Sequence, residues 1–306
     1  MSTNFASNAN VIGEAQHLAT SEILFSRILI ATDFSKSANQ ALKVAFSLCQ
    51  LFGAKLSLVH ATVPTAYGID AASVPLEVLG ADLEADKEQM NQLVLSEPGL
   101  SALIPKTVVA YSDAVNLINQ TAKDDRADLI VVGSHGASGL ERLVLGSVAE
   151  AVMHQASCPV LIVGPNCKPE QHLFRSVLFA TDLKTTGLRS AQYASGLAER
   201  FRAKLTFLHV MDVDRHGNRE MVKDRIRQEL ARLLPSDVEQ YCKTDIRVEC
   251  GKPAEVISSV AQTESASMIV VGLRDRPLAD HAPWSTLSYV IREANCPVLG
   301  VRGHFV

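Results

Sequence analysis

Two hydrophobic rhythms alternate along the chain. Short continuous apolar runs, of which Leu129-Ile130-Val131-Val132 is typical, have the length and bounding turn residues of strands buried on both faces of a parallel sheet. Between Ser35 and Gly53 the rhythm changes. Ala38, Ala41, Leu42, Ala45, Leu48 and Phe52 follow helical spacing, which predicts a helix with Ser35 as N-cap and Gly53 beyond its C-terminus. The same reading places a first strand over 28–33, a second over 55–60, a loop over 63–80 and a charged-faced helix over 81–95, stopped by Glu97-Pro98-Gly99. A third strand follows over 106–111, then a helix capped by Asp113 that runs through Leu117, Ile118 and Thr121. The Leu129 strand, a helix over 144–154 and a strand over 159–163 complete five strands. Such alternation points to a parallel sheet covered on both faces.

The series then starts again. Val177-Leu178-Phe179-Ala180-Thr181-Asp182 repeats Ile28-Leu29-Ile30-Ala31-Thr32-Asp33, and Leu208-His209-Val210 repeats Val59-His60-Ala61, each 149 residues on. The offset falls to 139 between Gly133 and Gly272 and to 138 between Pro159 and Pro297. The second copy is therefore shorter by roughly ten residues, within the stretch matching His60 to Gly133, and each copy has the size of one domain. Its strands centre on Val177, Phe207, Arg247, Val270 and Val298, and its helices on Tyr193, Arg227, Val256 and Tyr289. The expected division is a flexible tail over 1–25, a first domain over 26–164, a linker over 165–173 and a second domain over 174–306. Gly164-Pro165-Asn166-Cys167-Lys168-Pro169 opens that linker and reads as semi-rigid.

Composition narrows the function classes. With 47% hydrophobic residues, 20% charged residues, a formal charge of −4 and a pI near 6.1, the chain has ample core material and no basic bias toward nucleic acid. No apolar run approaches membrane-spanning length, and residues 1–20 lack the basic start and apolar core of a secretion signal. Neither nucleic acid nor membrane is an expected partner, and the cytoplasm is the expected compartment. The six cysteines show no Cys-x-x-Cys spacing and read as core thiols.

The chemistry concentrates in Gly133-Ser-His-Gly136-Ala-Ser-Gly-Leu-Glu-Arg-Leu-Val-Leu-Gly146-Ser147. Lying between a strand and a helix, these glycines let backbone N–H groups approach an anion, and the helix start adds unpaired donors and partial positive charge. The expected guest is a phosphate chain. Together with Ile28 to Ser35, Leu58-Val59-His60 and Cys158-Pro159-Val160-Leu161-Ile162-Val163, this loop resembles the universal stress protein family, once in each half of the chain. The resemblance implies an α/β fold of two tandem doubly wound domains, each a five-stranded parallel sheet in the order 3-2-1-4-5 flanked by helices. It also implies antiparallel pairing of the closing strands, Val160–Val163 with 298–301, into an intramolecular pseudo-dimer; whether two such chains associate, and with which proteins, is left open. Strands one and four would then lie side by side where the winding reverses, with Asp33 and Gly133 at their ends. By resemblance Asp33 meets an adenine or its ribose and Ala61 lines the base, while Gly133, Gly136, Gly146, Ser147 and Val148 cradle phosphates. Adenosine triphosphate, with magnesium held mainly through its phosphates, is the implied ligand.

Plainer readings stand beside these. Asp33 also suits a helix start, His135 an exposed loop, Arg142 a solvated helix face, and His60 and His209 structural roles rather than metal ligation. In the second copy Gly136 becomes Asp275, Gly146 becomes Ser285 and Ser147 becomes Thr286, with Pro277 and Pro283 entering between. A carboxylate 4 Å from a phosphate repels it by about 4 kcal/mol at an effective dielectric of 20. Arg274 and Arg276 stand ready to neutralise Asp275, yet the expectation is nucleotide in the first copy only, although Asp182 and Val210 persist at the base end. No catalytic residue is expected. The chain lacks the His-x-Gly-His of related adenylylating enzymes and the Ser-Gly-Gly-x-Asp-Ser of pyrophosphatase-type enzymes, and Thr32-Asp33-Phe34-Ser35 offers no nucleophile with a positioned base. A nucleotide-binding stress or regulatory module is favoured over a slow ATP hydrolase or a nucleotide-independent scaffold.

Overall fold

In a computed structural model, the described residues are 23–63, 76–97, 99–136, 145–168, 174–183, 187–211, 219–273 and 281–303. Their first half contains β1 (Arg27–Ala31), α1 (Lys36–Phe52), β2 (Lys55–Thr62), α2 (Leu76–Ser96), β3 (Lys106–Tyr111), α3 (Ala114–Asp124), β4 (Leu129–Gly133), α4 (Ser147–Gln155) and β5 (Val160–Val163). The second contains β6 (Ser176–Ala180), α5 (Gly187–Phe201), β7 (Lys204–Met211), α6 (Arg219–Ala231), β8 (Thr244–Cys250), α7 (Pro253–Thr263), β9 (Met268–Leu273), α8 (His281–Glu293) and β10 (Val298–Arg302).

Each half is a parallel sheet in the order 3-2-1-4-5, and the ten strands run β3-β2-β1-β4-β5-β10-β9-β6-β7-β8. At the centre β5 and β10 pair antiparallel, with Ile162 opposite Val298, Leu161 opposite Leu299 and Val160 opposite Gly300. Because successive strand residues face opposite ways, each strand feeds two cores. Ile28, Ile30, Val177 and Phe179 join the layer covered by α1, α2, α5 and α6. Leu29, Leu178 and Ala180 join the layer under α3, α4, α7 and α8.

Several elements depart from the expected bounds. Gly53 caps α1 in the left-handed conformation (φ 66°) and Ser35 Oγ accepts the Ala38 N–H, as their types require. The expected loop over 63–80 instead is helical from Leu76, and residues 64–75 lie outside the described residues. The helix expected from 144 starts only at Ser147, because Gly146 holds an extended backbone with φ −61° and ψ 142°. Phe25, grouped by sequence with the tail, is buried.

Phe25 belongs to an aromatic cluster that periodicity did not reveal. Its ring meets Phe52 edge-on at 5.1 Å, Phe52 reaches Phe174 at 6.0 Å and Phe201 at 5.4 Å, and Phe174 stacks on Phe201 at 4.3 Å. Phe25 and Phe174, like Phe52 and Phe201, stand 149 residues apart. The contact is thus isologous, the same pair of residues offered by each copy, as two-fold symmetry requires. Arg200 covers the Phe52 ring at 5.1 Å.

Phe174→Ala should therefore lower the unfolding free energy by about 3–5 kcal/mol, read by urea denaturation. A loss below about 1 kcal/mol would mean that the cluster does not bind the halves. Burial pushes the thiols of Cys49, Cys158 and Cys167 up to about 12, and only the thiolate reacts. At pH 8 a thiol-specific reagent should label the native protein far more slowly than the unfolded chain, where all six cysteines react; equal rates would contradict their placement in the core.

Candidate functional site

β1 and β4 are parallel neighbours, with Ile28 opposite Leu129 and Ile30 opposite Val131. The chain leaves them toward opposite faces. From β1 it enters α1, whose Ala41, Leu42 and Val44 join one core, and from β4 it reaches α4, whose Ala149, Val152 and Met153 join the other. A crevice belongs at such a reversal, beyond the C-terminal ends of the strands.

The turn after β1 is held by side chains. The Thr32 N–H donates to Val59 O at 2.9 Å, keeping the backbone tied to β2. Phe34 then takes φ 61°, a left-handed conformation costing a bulky residue about 1–3 kcal/mol. Two acceptors offset that cost: Thr32 Oγ1 accepts the Phe34 N–H at 3.0 Å, and Asp33 Oδ1 accepts the Ser35 N–H at 3.1 Å. Asp33 thus lies two residues beyond β1 rather than ending it. It also precedes α1 rather than standing in its first turn, and it accepts the N–H of that helix's N-cap, Ser35. Behind it, the buried His60 places Nδ1 2.8 Å from Thr32 O and Nε2 3.1 Å from Asp86 Oδ2, with the Phe34 ring 4.4 Å away. His60 is a brace, as its apolar setting suggested.

Each glycine of the cradle has its own neighbour. A Cβ on Gly133 would stand 2.6 Å from Ser37 Oγ, so α1 approaches the end of β4 only because that residue has no side chain. A Cβ on Gly136 would stand 2.7 Å from Asp33 Oδ2. Gly146 donates its N–H to Ser134 O at 2.8 Å and caps α4 without a side-chain hydrogen bond. Ser147 and Val148 open α4 and are exposed. The Glu150 N–H is taken by Gly146 O at 3.0 Å, while those of Ser147, Val148 and Ala149 have no acceptor among the described residues. These donors and the helix dipole are what an anion would meet.

The structure therefore brings Asp33 against Gly136, and Gly146, Ser147 and Val148 together at one helix start. Ala61 lies apart. It was expected just after strand two, but β2 runs on to Thr62 because Ala61 and Thr62 pair with Ala110 and Tyr111, and β1 separates it from the glycine loop. Sequence reasoning passed over Ser37 and Ser134, since no local pattern announces which helix turn meets which strand end. Ser134 is fully buried and its Oγ lies 2.8 Å from His135 Nδ1. His135 is half-buried rather than an exposed loop residue, and its Nε2 has no partner among the described residues. Arg142, Arg274, Asp275, Arg276 and Pro277 fall outside the described residues.

The second half repeats the turn as far as Leu183. Thr181 Oγ1 accepts the Leu183 N–H at 3.0 Å, Leu183 has φ 58°, and His209 Nδ1 lies 2.9 Å from Thr181 O. At the helix start the halves diverge. α8 begins at His281, so Ser285 and Thr286 lie a full turn inside it, where backbone N–H groups are spent on the helix itself. Among the described residues no group of three or more His, Cys, Asp or Glu is placed to hold a metal, and no helix is long and apolar enough to cross a membrane.

Known proteins share this sequence and architecture. A universal stress protein of Mycolicibacterium smegmatis is 26% identical over 287 residues, covering 90% of this chain and 96% of its own length. Universal stress protein YxiE of Bacillus subtilis is 34% identical over 150 residues, 46% of this chain and 99% of itself. The crystal structure of a universal stress protein from Archaeoglobus fulgidus superimposes with a TM-score of 0.68 at 22% identity, covering 91% of this chain and 97% of that one, which establishes a common fold. The sequence profile of the universal stress protein family matches residues 24–164 and again residues 173–302, so the chain belongs to that family and carries it twice.

Proposed function

We propose that this universal stress protein binds one adenosine triphosphate, in the crevice between β1 and β4, and acts as a nucleotide-dependent stress-response module. In this reading residues 26–164 form the binding domain, and residues 174–306 form its paired partner in an intramolecular pseudo-dimer. The observation that carries the reading is the juxtaposition of Gly136 with Asp33 Oδ2, together with the N–H groups of Ser147, Val148 and Ala149, which have no acceptor among the described residues.

Charge sets the direction of the ligand along the crevice. A phosphate within 4 Å of the Asp33 carboxylate would be repelled by about 4 kcal/mol. The neutral nucleoside therefore belongs beside Asp33, whose Oδ2 accepts from a ribose or base donor over the bare backbone of Gly136. The phosphates belong toward Gly146 and the first turn of α4, while the Gly133 backbone forms the floor and Ala61 lines the base end. Magnesium fits as an ion carried by the phosphates, since the described residues hold no ligand cluster of their own. It would neutralise phosphate charge; the chain's own part is to orient the nucleotide and give it hydrogen bonds.

Calorimetric titration of nucleotide-free protein should give one adenosine triphosphate per chain. Asp33→Ala should weaken that event by about 10- to 100-fold, the loss of one charged hydrogen bond, and Asp182→Ala should leave it unchanged. Two equivalent sites would show that both halves bind, and sensitivity to Asp182 alone would place the working crevice in the other half. A finer test is Gly136→Ala. Its methyl group would displace the Asp33 carboxylate and lower affinity as Asp33→Ala does, with the thermal midpoint within a few degrees of wild type. Undiminished binding by this variant would remove Gly136 from the site, and repeated turnover of the nucleotide by wild type would make the protein a hydrolase.

A further inference from the structure

A second candidate site lies far along the sheet from the nucleotide crevice, at the N-terminal ends of β6 and β9. There a cavity of about 480 Å³ opens between α7, the end of α8 and the segment joining the halves. That volume suits a small ligand. Its lining is polar and carries two cations, Lys168 and Arg175, along with Ser258, Gln262, Ser265 and Asn295. Neither cation has an ion-pair partner among the described residues. The one acid in the lining, Glu293, is engaged by Arg292 Nε at 2.8 Å. Ser258 contributes a buried Oγ with no hydrogen-bond partner among the described residues, an unmet polar group that a guest hydroxyl would satisfy.

The matching corner of the first half shows how this chemistry arose. There Asp128 Oδ2 accepts the N–H groups of Ser26 and Arg27 at 2.7 and 2.9 Å, so the cation Arg27 has an acid beside it. In the second half Ser267 takes that place, its Oγ accepting at 3.0 Å the N–H of Ser176, the counterpart of Arg27, so this position carries no acid, while the cation Arg175 stands at the position of Ser26. The first half also bridges its two helices there, Asn119 Nδ2 donating to Gln155 Oε1 at 3.4 Å. The repeat-related pair is Ser258 and Glu293, and Ser258 is too short for that bridge. Lys168 has no counterpart among the described residues of the first half. It comes from the segment between the halves, anchored by its own N–H on Asn295 O at 3.2 Å.

We propose that this cavity binds a small hydroxylated anion of the sugar-phosphate class. Lys168 and Arg175 take the phosphate, with Arg175 able to offer two parallel donors. Ser258, Gln262, Ser265 and Asn295 exchange hydrogen bonds with the hydroxyls, and the buried Ser258 Oγ gains its missing partner. Because Lys168 belongs to the joint and Arg175 immediately precedes β6, the guest would tie the joint to the second half at a point outside the paired strands.

The test uses the full chain at low ionic strength, titrated calorimetrically with ribose 5-phosphate, inorganic phosphate and ribose as separate probes up to millimolar concentration. The expected result is saturable binding of one ribose 5-phosphate per chain, tighter than either fragment. Substituting both Lys168→Gln and Arg175→Gln, exposed positions whose change spares the core, should weaken it at least tenfold, and Ser258→Val should weaken it as well. Asp33→Ala and saturating adenosine triphosphate should leave it unchanged. The proposal is overturned by no saturable binding, by inorganic phosphate binding as tightly as ribose 5-phosphate, by full affinity in the double glutamine variant, or by displacement with adenosine triphosphate.

Discussion

Everything else in this molecule depends on the antiparallel meeting of β5 and β10. A parallel five-stranded sheet that ends on a strand as apolar as Val160-Leu161-Ile162-Val163 presents a row of unpaired backbone groups to any passing strand. Pairing the two closing strands removes both liabilities at once. It also makes the two cores continuous across the joint, since Leu161 and Leu299 fall in one layer and Ile162 and Val298 in the other. The outer strands β3 and β8 then form the sheet's edges. Both are less buried than the centre and carry charged or polar residues such as Lys106, Thr244 and Arg247, as soluble edges require.

Much of this was legible before any coordinates. Strand cores, the caps at Ser35, Gly53 and Asp113, and the repeat itself followed from residue types whose backbone demands are local. What escaped was set by tertiary contact. β1 stops at Ala31 because Phe34 turns left-handed, and no rule of composition expects that of a phenylalanine, or of Leu183 at the equivalent place. β2 runs on through Ala61 and Thr62 because β3 offers partners there. Of the four phenylalanines of the joint, Phe25 and Phe174 lie outside helices and strands, and Phe52 and Phe201 close α1 and α5, whose helical spacing does not say that the two helix ends meet.

The candidate site shows the same division. Glycines between a strand and a helix announced an anion cradle, but Gly133, Gly136 and Gly146 answer to three different neighbours: a helix turn, a carboxylate and a carbonyl. At Gly133 the close approach of Ser37 by itself requires the missing side chain. The divergence of the second half was visible as substitutions at Ser285 and Thr286. Its physical form was not, for those residues are not merely a poorer helix cap; they have been carried into the helix interior.

The reversal of direction at β5 and β10 has a last consequence, for the electric field. Crossover helices run opposite to the strands they connect, so the helix starts of the first half and the helix ends of the second lie along the same side of the sheet. Their macrodipoles oppose one another and largely cancel beyond the protein surface. The chain also carries a net charge of −4, which at a distance repels rather than gathers anions. An anion approaching the start of α4 is therefore not drawn in from afar. An anion held there would be held by contact with a few backbone amides, which favours selection by shape and hydrogen bonding over capture of whatever negative charge drifts past.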